Sequence, residues 1–230
     1  MQTLINCPDF NKPVKWSKWT EDNYRKDAVE FYKQVLRFPR KDIDSDEFIV
    51  LVFETLEAFN MNTKGAKLSE LSVFKKAIKK HTKTIQSLVG LKLEEVNKDD
   101  NTLSTAISSL FGLFDGHQLV QTASPLVTFS KTMHFFLPDL FMPIDRKYTL
   151  QFFYGKPPYK NKNYGRQDFM NTVEKQKKCF LKIFEEFRLF AQKHYPVLKE
   201  QVDKHSRWNR NIPKIIDNII IAFVSENMED

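Results

Sequence analysis

Lys131, His134 and Asp145 are the residues of this 230-residue chain whose types and spacing could do chemistry together. A lysine amine attacks electrophilic carbon, a carboxylate stabilises developing positive charge or accepts a proton, and a histidine titrates near neutrality. All three fall between Ser124 and Thr149. Lys131 lies about 200° around a helix from both Phe129 and Met133. It is therefore expected to point away from the stripe Leu126, Phe129, Met133, Phe136 and Leu137, outside the core. His134, three positions on, shares roughly its face. Pro138-Asp139 ends that helix, and Pro143-Ile144 delivers Asp145 at the start of another near Arg146, where a helix N-terminus keeps a carboxylate charged. The simpler roles for the same residues are an exposed lysine, a packed histidine and a helix cap.

A second cluster is the segment 155–165, which is too rich in Pro and Asn for a helix and reads as a basic loop. Lys156, Lys160, Lys162 and Arg166 alternate there with Tyr154, Tyr159 and Tyr164. That combination can neutralise phosphates and stack on exposed bases, so Lys156, Tyr159, Lys160, Lys162, Tyr164 and Arg166 are the expected nucleic-acid contacts. A solvated loop in a lysine-rich protein is the plain alternative. The formal charge of +7 and pI of about 9.2 favour a polyanionic partner, DNA foremost.

Apolar periodicity supplies the elements that would position these groups. Ala28, Phe31, Tyr32, Val35 and Leu36 mark one helix ended by Pro39, and Phe48, Val52, Leu56 and Phe59 mark a second beginning after Ser45 or Asp46. Leu68, Leu71, Phe74 and Ile78 predict a third, whose other side carries Lys75, Lys76, Lys79, Lys80 and Lys83 as a solvated or phosphate-facing stripe. Leu103 to Phe114 predicts a further helix, stopped by Asp115-Gly116. A long helix is expected from Arg166 to about Tyr195, with Pro196 beyond its end, and a last one from about Ile212, with Pro213 in its first turn.

With 21 Phe and only 6 Gly, bulky core-facing side chains on long helices fit better than a many-stranded fold. The expected class is all-α, a compact bundle of about nine helices. Residues 1–230 are expected to form a single helical domain, with two packed lobes divided near the basic loop as the alternative. Cys7 and Cys179 form neither a disulfide framework nor a ligand array, and no metal site or cofactor is expected. The absence of a secretion pattern and of a long apolar run predicts a cytoplasmic protein without a membrane partner. No Gly-rich phosphate loop, zinc motif or nucleophile elbow occurs.

The run from Ser130 to Arg146 resembles the helix-hairpin-helix DNA glycosylase superfamily, and within it the divergent 8-oxoguanine glycosylase-like branch. In that superfamily a helical hairpin leads to a helix, a short loop and a Pro-x-Asp sequence whose aspartate caps the next helix, an element matched by Pro143-Ile144-Asp145. The resemblance implies that Asp145 stabilises the oxocarbenium-like charge formed as a base leaves its sugar, or activates the nucleophile. It also implies that Lys131 stands near the lysine with which some members attack the sugar. Such enzymes act on a nucleotide turned out of the duplex. Residues Ser124 to Ser130, where the superfamily's DNA-gripping turn would fall, contain no glycine, which leaves open a non-catalytic binding protein on the same scaffold. Arg188 and His194, spaced as Arg-x5-His, are similar to the pair of HEPN ribonucleases, a third reading.

Overall fold

Local capping chemistry marks where the helices begin and end in a computed structural model, which describes residues 3–4, 26–62, 67–97, 99–121, 125–155, 160–161, 165–166, 172–204 and 210–227. Helix α1 is Lys26–Arg37, and α2 is Asp46–Ala58, whose N-cap Ser45 accepts the Phe48 N–H. At the exit of α2, Asn60 takes a left-handed conformation with φ 60° and the Met61 N–H reaches back to Leu56 O, as in a Schellman cap. Arg40, between the two helices, donates to the carbonyls of Val35 and Leu36 and to those of Phe135 and Phe136. It thereby fastens the C-terminal ends of two helices to one cation.

Helix α3, Leu71–Ser87, begins later than its periodicity predicts, because Leu68 is taken up in an antiparallel bridge with Val120. The lysine stripe on α3 is partly committed: Lys75 and Lys79 hold Asp46 of α2 at 2.5 and 3.0 Å. Helix α4, Asn101–Leu110, is capped by Asp100 and runs into a 3-10 turn, Phe111–Phe114.

Helix α5, Pro125–Phe136, is buried at all twelve positions, and α9, Ile212–Asn227, is buried at every position from Ile212 to Val224. Helices enclosed on all sides form the centre of a bundle. Around α5 the rings of Phe111, Phe114, Phe129, Phe141 and Phe180 pack at centroid distances of 4.6 to 5.9 Å. After α5 the chain turns through Leu137–Leu140 and passes without regular structure to Asp145, whose own backbone is extended. A π-helical turn, Arg146–Leu150, then leads into the short α6, Gln151–Tyr154, which Gly155 ends at φ 85°.

Helix α7, Val173–Lys193, is capped by Thr172 and starts seven residues after the expected Arg166. Arg166 instead belongs to a two-rung antiparallel ladder, β1 (Lys160–Asn161) with β2 (Gly165–Arg166), inside the segment expected to be an irregular loop. Helix α8, Tyr195–Lys204, has Pro196 in its first turn, so that proline opens a helix where the sequence pattern reads only a stop. Nine α-helices thus lie among the described residues, and the all-α class is the one observed. No helix among the described residues is long and apolar enough to cross a membrane.

Candidate active site

The segment after α5 is tied back onto the helix it leaves. Ser130 Oγ accepts the Ile144 N–H at 3.0 Å, and His134 Nδ1 lies 2.7 Å from the Phe141 carbonyl. These two bonds set Asp145 beside α5 one residue after Ile144. Asp145 then caps the π turn: its Oδ1 accepts the Lys147 N–H at 2.8 Å, and its own N–H donates to Thr149 Oγ1 at 3.0 Å. The helix-start role read from the sequence is therefore the observed one for Asp145.

The other carboxylate oxygen of Asp145, Oδ2, meets Lys131 Nζ at 3.2 Å. This corrects the expectation for Lys131, which is buried rather than outside the core. Its direction away from the apolar stripe holds, but α5 is enclosed all round, so that direction faces an internal recess. The Phe59 ring centroid lies 5.9 Å from the ammonium, a cation–π contact that helps hold it in partly apolar surroundings. Asp145 keeps 33% of its side chain exposed, so solvent reaches the pair. Burial pushes the Asp145 carboxyl up, but the Lys131 charge and the N–H groups of Lys147 and Tyr148 outweigh it and hold the group below the ordinary carboxylate range.

His134 shares the recess with Lys131, as the face geometry predicts. Its Nδ1 faces an oxygen that can only accept, so it carries the proton, and Nε2 accepts from the Tyr32 hydroxyl at 2.8 Å. Tyr32 Oη in turn accepts from Asn211 Nδ2 at 2.9 Å, and Asn211 Oδ1 caps the Lys214 N–H at 2.9 Å. Burial depresses the imidazole to about 3, leaving it neutral. In this position His134 orients the site by hydrogen bonding and carries no positive charge near neutrality.

A second ion pair completes the recess. Lys214 and Asp217, one turn apart on α9, meet at 2.5 Å with both side chains 4% exposed. Burial pushes the Asp217 carboxyl above its ordinary value, against the lowering effect of Lys214. Between α5 and α9 the recess has aromatic and aliphatic walls that include Phe59, Phe135, Pro143 and Ile221. Its empty space, the solvent at its mouth included, is about 380 Å³. Sequence patterning singles out neither Tyr32 nor the α9 pair. The signal was present, since Lys214, Asp217 and Asn218 stand at helical spacing inside an otherwise apolar isoleucine run.

Of the expected nucleic-acid contacts, Lys156, Tyr159, Lys162 and Tyr164 lie outside the described residues. Lys160 and Arg166 are directly opposed in the β1–β2 register. The proposed ribonuclease pair is differently placed. Arg188 gives Nε and Nη2 to Glu185 at 2.8 and 2.9 Å, and Nη1 to Gln192 at 2.9 Å and to the Val96 carbonyl at 3.5 Å. His194 caps the end of α7 and packs its ring 4.4 Å from Phe190. Arg188 thus ties α7 to the loop before α4. Among the described residues no group of three or more His, Cys, Asp or Glu is placed to hold a metal ion. No protein-family model, curated protein or solved structure matches the chain.

Proposed function

We propose that the chain is a nucleic-acid-binding protein that cleaves the N-glycosidic bond of a modified base, using Asp145 and Lys131. The observation that carries this reading is the solvent-reached contact of 3.2 Å between Lys131 Nζ and Asp145 Oδ2 in an aromatic-walled recess. A carboxylate held in its charged form beside such a recess stabilises the positive charge that builds on a sugar as its base departs. An ammonium in an ion pair is not a nucleophile, and the same carboxylate is the acceptor for the proton it must lose. In that step Lys131 passes a proton to Asp145 and its amine bonds to the anomeric carbon. The glycosidic bond breaks with its electron pair on the base nitrogen, which takes from Asp145 the proton that Lys131 gave up, so the carboxylate is charged again. The sugar ring then opens as its oxygen takes a proton from the bonded amine, leaving the Schiff base that borohydride reduces. Arg146 and Lys147, exposed and adjacent to Asp145, add positive charge where a phosphate backbone would pass. The likeness of residues 130–146 to the helix-hairpin-helix glycosylases points the same way.

The test is base release from duplex oligonucleotides carrying a panel of oxidised, alkylated and deaminated bases, with borohydride trapping in parallel. Release by the natural chain should fall about a hundredfold or more in Asp145→Asn. The trapped covalent adduct should vanish in Lys131→Gln. Absence of release from every duplex, or release unchanged in Asp145→Asn, overturns the reading in favour of a non-catalytic binding protein.

A further inference from the structure

The carboxylate of Asp217 is only half used. Its Oδ2 takes the Lys214 ammonium, whereas Oδ1, buried in a residue 3% exposed, has no hydrogen-bond partner among the described residues. Asp217 lines the same recess as Lys131 and Asp145. A buried acceptor without a donor is unfavourable, the more so when it is charged. A ligand that brings a donor relieves that deficit.

The recess also restricts what kind of donor it takes. Its described lining holds two lysines and two aspartates, paired one to one, so their formal charges cancel. A balanced interior favours neither a free phosphate nor a simple cation, because either would arrive without a compensating charge. With about 380 Å³ of empty space, the solvent at its mouth included, the recess is of the size to take a ligand whose body is a single small ring system. Phe59 and Phe135 give that body an apolar and aromatic setting.

We infer that Asp217 is a specificity-determining residue, whose Oδ1 accepts a hydrogen bond from an N–H on the edge of a neutral heterocyclic ring, the class to which nucleobases belong. The inference rests on the proposed base-excision reading for its ligand class, and it assigns base selection to α9 while Lys131 and Asp145 face the sugar.

Lys214 makes the consequence of Asp217→Asn directional. The ammonium needs an acceptor, so the carboxamide oxygen turns to Lys214 and the NH2 group faces the recess. The variant then presents a donor where the natural chain presents an acceptor, and a ligand N–H meets another N–H.

The experiment titrates adenine, guanine, cytosine and uracil into the full chain by NMR, beside analogues in which individual N–H groups are methylated. At least one parent base should bind. Methylating its recognised N–H should weaken it about tenfold or more, and Asp217→Asn should weaken the parent about as much while leaving the methylated analogue unaffected. If the variant does not fold, the methylation series on the natural chain still decides. Absence of binding by all four bases, or equal binding of parents and methylated analogues, overturns the inference. Base release and borohydride trapping with the duplex panel, on the same protein preparations, separate the two ideas: release without N–H selectivity overturns the role of Asp217 alone, and N–H selectivity without release overturns excision alone.

Discussion

Tyr32 and His134, 102 residues apart in sequence, stack with centroids 5.5 Å apart and share a 2.8 Å hydrogen bond. Through them a continuous relay runs from the N-cap of α9 to the segment that carries Asp145. Lys214 N–H donates to Asn211, Asn211 to Tyr32, Tyr32 to His134, and His134 to the Phe141 carbonyl. Each group is satisfied by the next, and the Lys131–Asp145 and Lys214–Asp217 pairs are held on opposite ends of one hydrogen-bonded line.

Tyr32→Phe breaks that line at its middle. The ring still fills its space, but His134 Nε2 loses its donor and Asn211 Nδ2 its acceptor. A buried group stripped of its partner is destabilising by about 1–3 kcal/mol, which for a chain of this size lowers Tm by roughly 3–10 °C. Calorimetry on the variant checks this. An unchanged Tm would mean that the relay carries no stability.

The neutral state of His134 predicts a specific acid response. Its folded value is about 3, against an ordinary 6.5, so the unfolded chain takes up the proton first as pH falls. Its contribution is fully present above about pH 6.5 and is lost progressively toward pH 3. One proton amounts to about 1.4 kcal/mol per pH unit, so by pH 4 the loss reaches about 3 kcal/mol. Urea unfolding from pH 7 to 4 should show this slope in the natural chain and a shallower one in His134→Gln. Parallel slopes would refute the assignment.

What the sequence could and could not reveal divides by mechanism. Ser45 and Asp145 are legible as caps, because a short polar side chain before an apolar run has one favoured local role, and α9 is legible from its isoleucines. Lys131 was misplaced because periodicity separates apolar from polar faces, but does not say whether the polar face meets water or a recess. Tyr32 escapes for the related reason that its partners come from distant segments, whereas Asp217 pairs locally with Lys214 and is hidden only by the apolar run around it. Tyr32 meets residues 102 and 179 positions away. Helix α8 was hidden by Pro196, since a proline that ends one helix is equally suited to the first turn of the next.

The buried α9 pair gives an asymmetric mutational prediction. Lys214→Met leaves Asp217 in the interior without its cation, a change that typically lowers stability by about 3–5 kcal/mol. Burial has already raised the Asp217 carboxyl, so protonation relieves part of that loss, and the variant should recover relative to the natural chain as pH falls. Removing both charges in Lys214→Met with Asp217→Leu should restore most of the stability while abolishing the proposed base selectivity. Urea denaturation of the single and double variants measures the coupling. A double variant no more stable than Lys214→Met would show that the pair is not energetically linked.

The net charge of +7 sets the last expectation, binding to duplex DNA that weakens steeply with salt. The logarithm of the affinity should fall linearly with the logarithm of salt concentration, with a slope of about −0.9 for each phosphate neutralised. Replacing Lys156, Lys160 and Lys162 by glutamine should make that slope shallower by up to about 3. Asp217→Asn, which alters the recess and not the basic segment, should leave the slope unchanged even where it changes base preference. Fluorescence anisotropy with an undamaged duplex at a series of salt concentrations reads both variants. A slope that is unchanged in the triple variant moves the phosphate contacts away from residues 156–162, and the exposed pair Arg146 and Lys147 beside Asp145 becomes the surface to neutralise next.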